Sequence, residues 1–378
     1  MKLAAKIARR LEDRILAEGW PVGHQIGRET DMATEMGVSR WTFREAVRIL
    51  ESSGFVVTRK GARGGLFVAS NAHDFVCRTI TNYLEFVQIS PDEFANLFRG
   101  FGSFALMEAI DTLAAPERAR LAAQLAALPE LPFTEQVQYA ADIQHALIRG
   151  ARNPALLLFM DALTRITIHA SIYSSLDDAG WMASLRLSLD QIVRMATAVL
   201  ACDRRAAEAA NADFVETCRR KFDASLIHRR LPLTPAATER AYAVSPPARA
   251  PKKVDRVERE IREMIIEAGW PVGANLGSEV ELAKRFGVGR PVLREALRSL
   301  EQMGVIAMGR GSSSGLRVVS PDPAAIAQAC CRHLRREGLT PVHAPPLLAI
   351  LQELSVRDDR PSRLRGLFAH VLQLDCVA

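Results

Sequence analysis

The 378-residue chain is predicted to be mainly α-helical, with two copies of a small helical domain that ends in a β-hairpin flanking an all-α bundle. Three observations support this fold class. The segment Gly19–Ser70 recurs 250 residues later as Gly269–Ser320, with 23 of 52 positions identical. The residues between the copies carry apolar side chains at helical spacing. A proline-rich stretch then separates this bundle from the second copy.

These features divide the chain into five segments. The repeated domains cover residues 1–70 and 252–320, the bundle covers 71–231, the linker covers 232–251, and a truncated helical tail covers 321–378. Several cores are expected, because one core rarely organises more than about 250–300 residues. The tail is similar only to the beginning of a second bundle, so its apolar residues need a partner, either the chain's own bundle or another chain. On that basis we expect a homodimer, which would present four of the repeated domains. The alternative is that one chain with its two copies acts as a pseudo-dimer.

The net charge of +6 is concentrated in the two copies. Residues 1–70 hold 12 basic and 8 acidic side chains and residues 251–320 hold 12 and 9, whereas residues 71–234 hold 16 and 19. Basic repeats favour a polyanionic partner. There is no long apolar segment of the kind that spans a membrane or directs secretion, so we expect a cytoplasmic protein with no membrane partner. The six cysteines show no metal-ligand spacing and are expected to be thiols.

Each copy contains the pattern of a helix-turn-helix. A short helix with acidic residues in its first turn is followed by a glycine turn, Gly37–Ser39 or Gly287–Gly289, and then by a longer helix. In the longer helix an apolar stripe points to the core, formed by Phe43, Val47 and Leu50 in the first copy and Leu293, Leu297 and Leu300 in the second.

The longer helix of each copy also carries a row of arginines. They recur every four residues, as Arg40, Arg44 and Arg48 in the first copy and Arg290, Arg294 and Arg298 in the second. The N-terminal residues of a recognition helix reach base edges and phosphates in the major groove of DNA, so the first two arginines of each row are predicted to contact DNA. The third arginine of each row is instead predicted to pair with acidic neighbours on its own helix.

A glycine-rich, basic hairpin is predicted directly after each of these helices. Such a hairpin is a wing, and its glycines allow the backbone to turn tightly and to approach another molecule closely. Its cations are expected to contact phosphates. They are Arg59, Lys60 and Arg63 in the first copy and Arg310 in the second.

The segments IGRETDMATEMGVSRWTFREAVRILESSGFVVTRKGARGG and LGSEVELAKRFGVGRPVLREALRSLEQMGVIAMGRGSSSG resemble the winged helix-turn-helix of GntR-family transcription regulators. The resemblance implies a double-stranded DNA operator as partner. It places six residues at DNA-contacting positions: Ser39, Arg40, Thr42, Arg44, Arg290 and Arg294. Four residues depart from the family pattern: Trp41 is bulky, Gly289 lacks the side chain that would cap the helix, and Thr30 and Val280 stand where a family arginine often contacts DNA. These departures leave open an altered sequence preference and unequal binding by the two copies.

The bundle is similar to the FadR-type effector and dimerisation domain, the FCD class, at DIQHALIRGARNPAL from Asp142 onward. This resemblance implies a small-molecule effector, and we name five candidate side chains for an organic acid: Arg99, His145, Arg149, Arg165 and His169. Many members of the class hold a metal through one Asp and three His. Here only His145 of that set is retained and Ala141 stands at the Asp position, so neither a metal nor another cofactor is expected.

Two functions remain open after these observations. The first is a bacterial, cytoplasmic, nucleoid-associated transcription regulator that binds DNA. The second is an assembly protein whose winged domains bind other proteins, for which Trp41 and Gly289 are the motivating residues. An enzyme is not expected, because the sequence contains no nucleophile elbow, P-loop, dinucleotide fingerprint or HExxH motif.

Overall fold

The computed structural model describes residues 3–51, 54–59, 61, 64–69, 72–172, 178–228, 253–308, 315–357 and 362–374. The chain forms two compact units that are both discontinuous in sequence. Unit 1 combines residues 1–82, 272–338 and 374–378, and unit 2 combines residues 83–271 and 339–373. The predicted linker at 232–251 lies outside the described residues. No helix in the described part of the chain is long and apolar enough to cross a membrane.

The first copy folds as a helical domain with a β-hairpin, as predicted. Its elements are α1 (Leu3–Ala17), β1 (Gln25–Gly27), α2 (Glu29–Glu35), α3 (Arg40–Glu51), β2 (Val56–Arg59) and β3 (Gly65–Val68). Strands β2 and β3 pair antiparallel, with Val56 opposite Val68 and Arg59 opposite Gly65. The three-residue strand β1 pairs with the free edge of β3 and was not predicted, because three residues are too short to show an alternating pattern.

The core of this domain lies between α1, α3 and the sheet. The predicted stripe of α3, Phe43, Val47 and Leu50, is buried against Leu11 and Ile15 of α1 and other apolar residues. The turn before α3 requires a glycine, since Gly37 has a φ of 65°.

The second copy has the corresponding elements in the same order, with α11 in unit 2 and the others in unit 1. They are α11 (Lys253–Glu267), α12 (Glu279–Arg285), α13 (Arg290–Gln302), β4 (Ile306–Met308) and β5 (Leu316–Val318). Strands β4 and β5 pair antiparallel, with Ile306 opposite Val318. The place of β1 is taken by a single bridge between Asn275 and Arg317. The predicted stripe Leu293, Leu297 and Leu300 is buried, and Gly287 has a φ of 61° at the turn. The fold is therefore mainly α with two winged helix-turn-helix domains.

The described parts of the bundle, residues 72–172 and 178–228, contain seven α-helices. They are α4 (Ala72–Val87), α5 (Pro91–Thr112), α6 (Ala115–Ala127), α7 (Phe133–Gly150), α8 (Pro154–Ile172), α9 (Asp178–Leu200) and α10 (Arg204–His228). The central helix α5 packs against α7, α8, α9 and α10. Side-chain caps begin two of these helices. The Ser90 hydroxyl accepts a hydrogen bond from the Glu93 backbone N–H at 3.1 Å, and the Asn153 side chain accepts two from the first turn of α8.

The tail adds α14 (Pro323–Arg336), α15 (Ala344–Arg357) and α16 (Arg363–Gln373). Within unit 2, the Phe368 ring of α16 stacks on Phe159 of α8 with centroids 4.0 Å apart and lies 6.0 Å from Phe101 of α5. Helix α15 packs against both α5 and α16. Of the two partners that the sequence left open for the tail, the chain's own bundle therefore covers α15 and α16.

Among the cysteines in the described part of the chain, the expectation of a thiol is wrong for Cys331. Cys77, Cys202, Cys218 and Cys330 are free thiols, but Cys331 is disulfide-bonded. Sequence spacing could not show this, because a disulfide depends on which chain segments meet in space.

Helix α14 packs against the first copy within unit 1, and this contact buries a carboxyl group. Arg335 Nη1 lies 3.5 Å from Glu12 Oε1, and Arg335 Nη2 donates to Asp13 Oδ1 at 3.0 Å. Burial raises the pKa of the Glu12 carboxyl from 4.5 to about 7, while the guanidinium groups of Arg335 and Arg332 lower it by a smaller amount. The folded chain therefore binds this proton more tightly than the unfolded chain.

We expect a corresponding pH dependence of stability. A carboxyl with a raised pKa favours folding below the unfolded value of 4.5, and this contribution is lost as the pH rises through about 7. The loss is at most about 3 kcal/mol. In E12Q, the fall in the free energy of unfolding between pH 5 and pH 8 should be smaller than in the wild type, as measured by urea unfolding. D13N, at a half-exposed neighbour, is the matched control, and equal pH slopes in E12Q and the wild type would contradict the assignment.

Candidate DNA interface

The two recognition helices begin differently. In the first copy, the Ser39 hydroxyl accepts a hydrogen bond from the Thr42 backbone N–H at 3.1 Å and lies 2.9 Å from the Thr42 hydroxyl. Ser39 therefore caps α3, and Ser39 is exposed. In the second copy, Gly289 occupies the cap position of α13 without a side-chain hydrogen bond, and a proline follows in the first turn. The prediction that Gly289 lacks the side chain that would cap the helix is confirmed.

Exchanging the caps should change stability in opposite directions. S39A is expected to lower the free energy of unfolding by about 1 kcal/mol, because the Thr42 N–H loses its acceptor. G289S should raise it by a few tenths of a kcal/mol, since Gly289 has a φ of −70° that any residue adopts and an added Cβ would meet only Pro291 Cδ at 3.7 Å. Thermal unfolding of both variants beside the wild type checks this, and a stabilising S39A would contradict it.

The second arginine of each row forms the same ion pair in both copies. Arg44 Nε donates to Glu29 Oε1, and Arg294 Nε donates to Glu279 Oε2 at 2.7 Å. Each glutamate lies in the first turn of the preceding short helix, fifteen residues earlier in sequence. Both arginine side chains remain more than 60% exposed. The glutamate thus holds the guanidinium group at the N-terminal part of the recognition helix while leaving it accessible.

The first and third arginines of each row are also at the surface. Arg40 and Arg290 are the first residues of α3 and α13, and both are exposed. Arg48 Nη1 donates to Glu45 Oε1 at 2.6 Å, one helical turn earlier, as predicted for the third arginine of the first copy. The predicted pairing of the third arginine with an acidic neighbour on its own helix is therefore confirmed for Arg48.

The wing of the first copy lies beside the recognition helix. Arg59 ends β2, is exposed, and places its guanidinium carbon 4.4 Å from the centre of the Phe67 ring. A cleft of about 400 Å³ separates α2 and α3 from the hairpin, lined among others by Arg28, Glu29 and Arg59. Sequence reasoning did not single out Arg28 or the pairing role of Glu29. Lys60, Arg63 and Arg310 lie outside the described residues.

The residues that depart from the family pattern are accessible. Trp41 is 72% exposed on α3, and Val280 is 56% exposed on α12. Thr30 is also exposed. A bulky apolar side chain on an exposed recognition helix fits contact either with thymine methyl groups or with another protein.

The five candidates for an effector site lie on α5, α7 and α8. Arg99 and Arg149 are exposed, and Arg165 is half-buried. His145 Nδ1 lies 3.4 Å from Asp161 Oδ1. The side chain of His169 lies outside the described residues. A second cleft, of about 550 Å³ in unit 2, is lined by Glu85, Gln88, Ser90 and Trp270 among others. Of the four candidates whose side chains are described, Arg99, His145, Arg149 and Arg165, none lines this cleft or the one beside the wing.

Both copies match a known family. Residues 3–68 and residues 253–316 each match the family of bacterial regulatory proteins described as the gntR family. The two copies are therefore winged helix-turn-helix domains of the GntR family.

Relatives with the same kind of domain are regulators. The HTH-type transcriptional repressor NanR of Enterobacter sp. (strain 638) is 38% identical over 71 residues, which are 19% of this chain and 27% of that protein. An uncharacterized HTH-type transcriptional regulator of Mycobacterium tuberculosis is 41% identical over 73 residues, 19% of this chain and 29% of that protein. The chain thus spans less than a third of the length of these two curated relatives. Among solved structures, a GntR protein of Streptococcus agalactiae superposes with a TM-score of 0.40 at 19% identity, covering 57% of this chain and 99% of that one.

Proposed function

We propose that this protein is a DNA-binding transcription regulator of the GntR type that uses both winged domains. The observation that supports this most strongly is the repeated pair of an exposed arginine with a glutamate, Arg44 with Glu29 and Arg294 with Glu279. A guanidinium group held in one orientation at the start of a recognition helix is suited to bidentate contact with a guanine edge. Its occurrence in both copies favours two DNA-reading surfaces.

The affinity and the sequence preference would come from different residues. Arg59, Lys60, Arg63 and Arg310 in the wings would neutralise phosphates, which gives affinity without sequence information. Arg40, Arg44, Arg290 and Arg294 would lie near base edges, together with Ser39 and Thr42. The relatives' names include repressors, and we propose the same sign of regulation here.

The assembly-protein function is kept as the second candidate because Trp41 is 72% exposed on a recognition helix. A titration of fluorescent DNA with the intact chain at increasing salt separates the two. For DNA binding, the logarithm of the association constant should fall steeply with the logarithm of the salt concentration, by about 0.9 for each phosphate contacted. Absence of DNA binding at low salt, with protein binding that persists at high salt, would favour the assembly function.

We further propose that the helical bundle responds to a small organic acid. The resemblance of the DIQHALIRGARNPAL stretch to an effector domain supports this, with Arg99, His145, Arg149, Arg165 and His169 as the candidate residues and without a metal. A thermal-shift screen of carboxylic acids on the intact chain is the test. A compound that raises the melting temperature of the wild type but not of R149A or R165A would support the proposal.

The homodimer stays a prediction. The sequence predicted a dimer because the apolar residues of the tail needed a partner. In the structure, α15 and α16 of the tail pack against the bundle of the same unit. That reason no longer applies, so the dimer now rests only on the resemblance of the bundle to a dimerisation domain. Light scattering at micromolar concentration measures it directly, and a monomeric mass would contradict it.

A further inference from the structure

The helix that follows the second copy packs against the first copy. Besides the contacts of Arg335 with Glu12 and Asp13, the guanidinium carbon of Arg336 lies 4.4 Å from the centre of the Trp20 ring. The Glu12 side chain is only 2% exposed. Helix α14 therefore contacts α1 and Trp20 of the first winged domain through two adjacent basic side chains. One of them, Arg335, meets the buried carboxyl group of Glu12.

The helix that follows the first copy makes the equivalent contact with the second copy. Phe86 at the end of α4 meets the Trp270 ring edge-on, with centroids 5.8 Å apart. At the offset of 250 residues, Phe86 corresponds to Arg336 and Trp270 corresponds to Trp20. The Asn82 amide of α4 also donates to Met303 Sδ at 3.6 Å, directly after recognition helix α13. Each copy is thus covered by the helix that follows the other copy; we call α4 and α14 the crossing helices.

The charges at the corresponding sequence positions are reversed. Glu12 of the first copy corresponds to Arg262 of the second, and Arg335 of crossing helix α14 corresponds to Glu85 of crossing helix α4. Glu85 is buried and lines a cleft with the end of α11 from Ile266 to Trp270. In the first copy the acidic residue Glu12 faces a crossing helix, α14, that carries the basic residue Arg335. In the second copy the corresponding residue is the basic Arg262, and its crossing helix, α4, carries the acidic Glu85.

We propose that this reversal restricts the pairing to the two unlike copies of one chain. If a first copy took the crossing helix of another first copy, Glu85 would meet Glu12 and Asp13. If a second copy took the crossing helix of another second copy, Arg335 would meet Arg262. Buried like charges without compensation strongly disfavour an arrangement, whereas the unlike pairing places opposite charges at both pairs of equivalent positions. The partner that the crossing-helix surface of each copy fits is the other half of the same chain.

This pairing would give one molecule two different DNA-reading domains in a fixed combination. We infer that the preferred operator contains two unlike half-sites rather than a palindrome, because identical half-sites reflect identical DNA-reading domains. This part of the inference rests on the proposed function. The pairing itself does not depend on DNA binding.

A charge exchange in the full-length chain tests the pairing. In E85R/R335E, both pairings within the chain become repulsive, whereas first-with-first and second-with-second pairing between two chains gains the native charge combinations. We expect this variant to assemble at twice the mass of the wild type at the same concentration, by light scattering after size exclusion at pH 8 and low salt. An unchanged mass with an unchanged melting temperature would overturn the proposal.

The matched control reverses all four positions. E12R/E85R/R262E/R335E exchanges the charges of the two copies, so that the arginine introduced at position 12 is matched with the glutamate introduced at position 335, and the glutamate introduced at position 262 with the arginine introduced at position 85. Each pair then has the charges that the other pair has in the wild type. The next residue in each copy is acidic in both cases, Asp13 and Glu263. It should return to the mass and melting temperature of the wild type. If E85R/R335E fails to fold, recovery of the folded circular dichroism spectrum in the fourfold variant still supports the proposal. Failure of the fourfold variant to recover would overturn it. DNA is absent from both measurements, so their outcome is independent of the proposed function.

Discussion

Alanine at both Arg44 and Arg294 is expected to weaken operator binding by about 2–6 kcal/mol, since each bidentate contact with a base contributes about 1–3 kcal/mol. The two arginines occupy equivalent positions and share the same ion pair with a preceding glutamate, so both should lose an oriented guanidinium group. Fluorescence anisotropy with a selected operator and with unrelated DNA measures the change. The loss should be larger for the operator, because phosphate contacts elsewhere keep the non-specific binding.

R48A/R298A is the matched control for this variant. It also removes one positive charge from each of the two recognition helices, but one turn further from the N-terminus. At that position Arg48 is already paired with Glu45. Its effect should be small and similar for the operator and for unrelated DNA. Equal losses in the two double variants would show that only net charge matters, and no loss in R44A/R294A would contradict the DNA interface.

F368A is expected to lower the free energy of unfolding by about 3–5 kcal/mol, the usual cost of removing a fully buried phenylalanine. Phe368 has no exposed surface, stacks on Phe159 at 4.0 Å and lies near Phe101. Its removal would leave a cavity between the tail and the bundle. Urea unfolding followed by circular dichroism measures the change in unit 2.

V356A is the control for this second variant, because Val356 is 86% exposed on α15 of the same tail. It should change stability by less than about 0.5 kcal/mol. A similarly small effect of F368A would mean that the tail does not pack against the bundle in solution.

Much of the local structure was predictable from the sequence. The apolar stripes around Phe43 and Leu293, the glycine turns and the hairpins each follow from local periodicity and backbone preference, and the 250-residue repeat made the same prediction twice. The caps of α5 and α8, Ser90 and Asn153, are local in the same way, because a cap depends on a few adjacent residues.

Contacts between distant segments were not predictable in the same way. The stacking of Phe368 on Phe159 and the pairing of Arg335 with Glu12 join residues far apart in sequence, and a single sequence gives no distances between them. The ion pair of Arg44 with Glu29 had a signal that was missed: the same arginine and glutamate recur fifteen residues apart in both copies. A repeated pair of opposite charges across a helix-turn-helix indicates contact more strongly than either copy alone.

The central claim is that one chain reads DNA with two winged domains, and selection of bound fragments from a random DNA pool tests it most directly. The intact wild type, R44A and R294A should be compared under the same salt conditions. We predict that the wild type selects a site with two unlike halves at a fixed spacing, that R44A loses the preference for one half, and that R294A loses the preference for the other. Selection of the same site by all three proteins, or of no preferred sequence by the wild type, would contradict the claim.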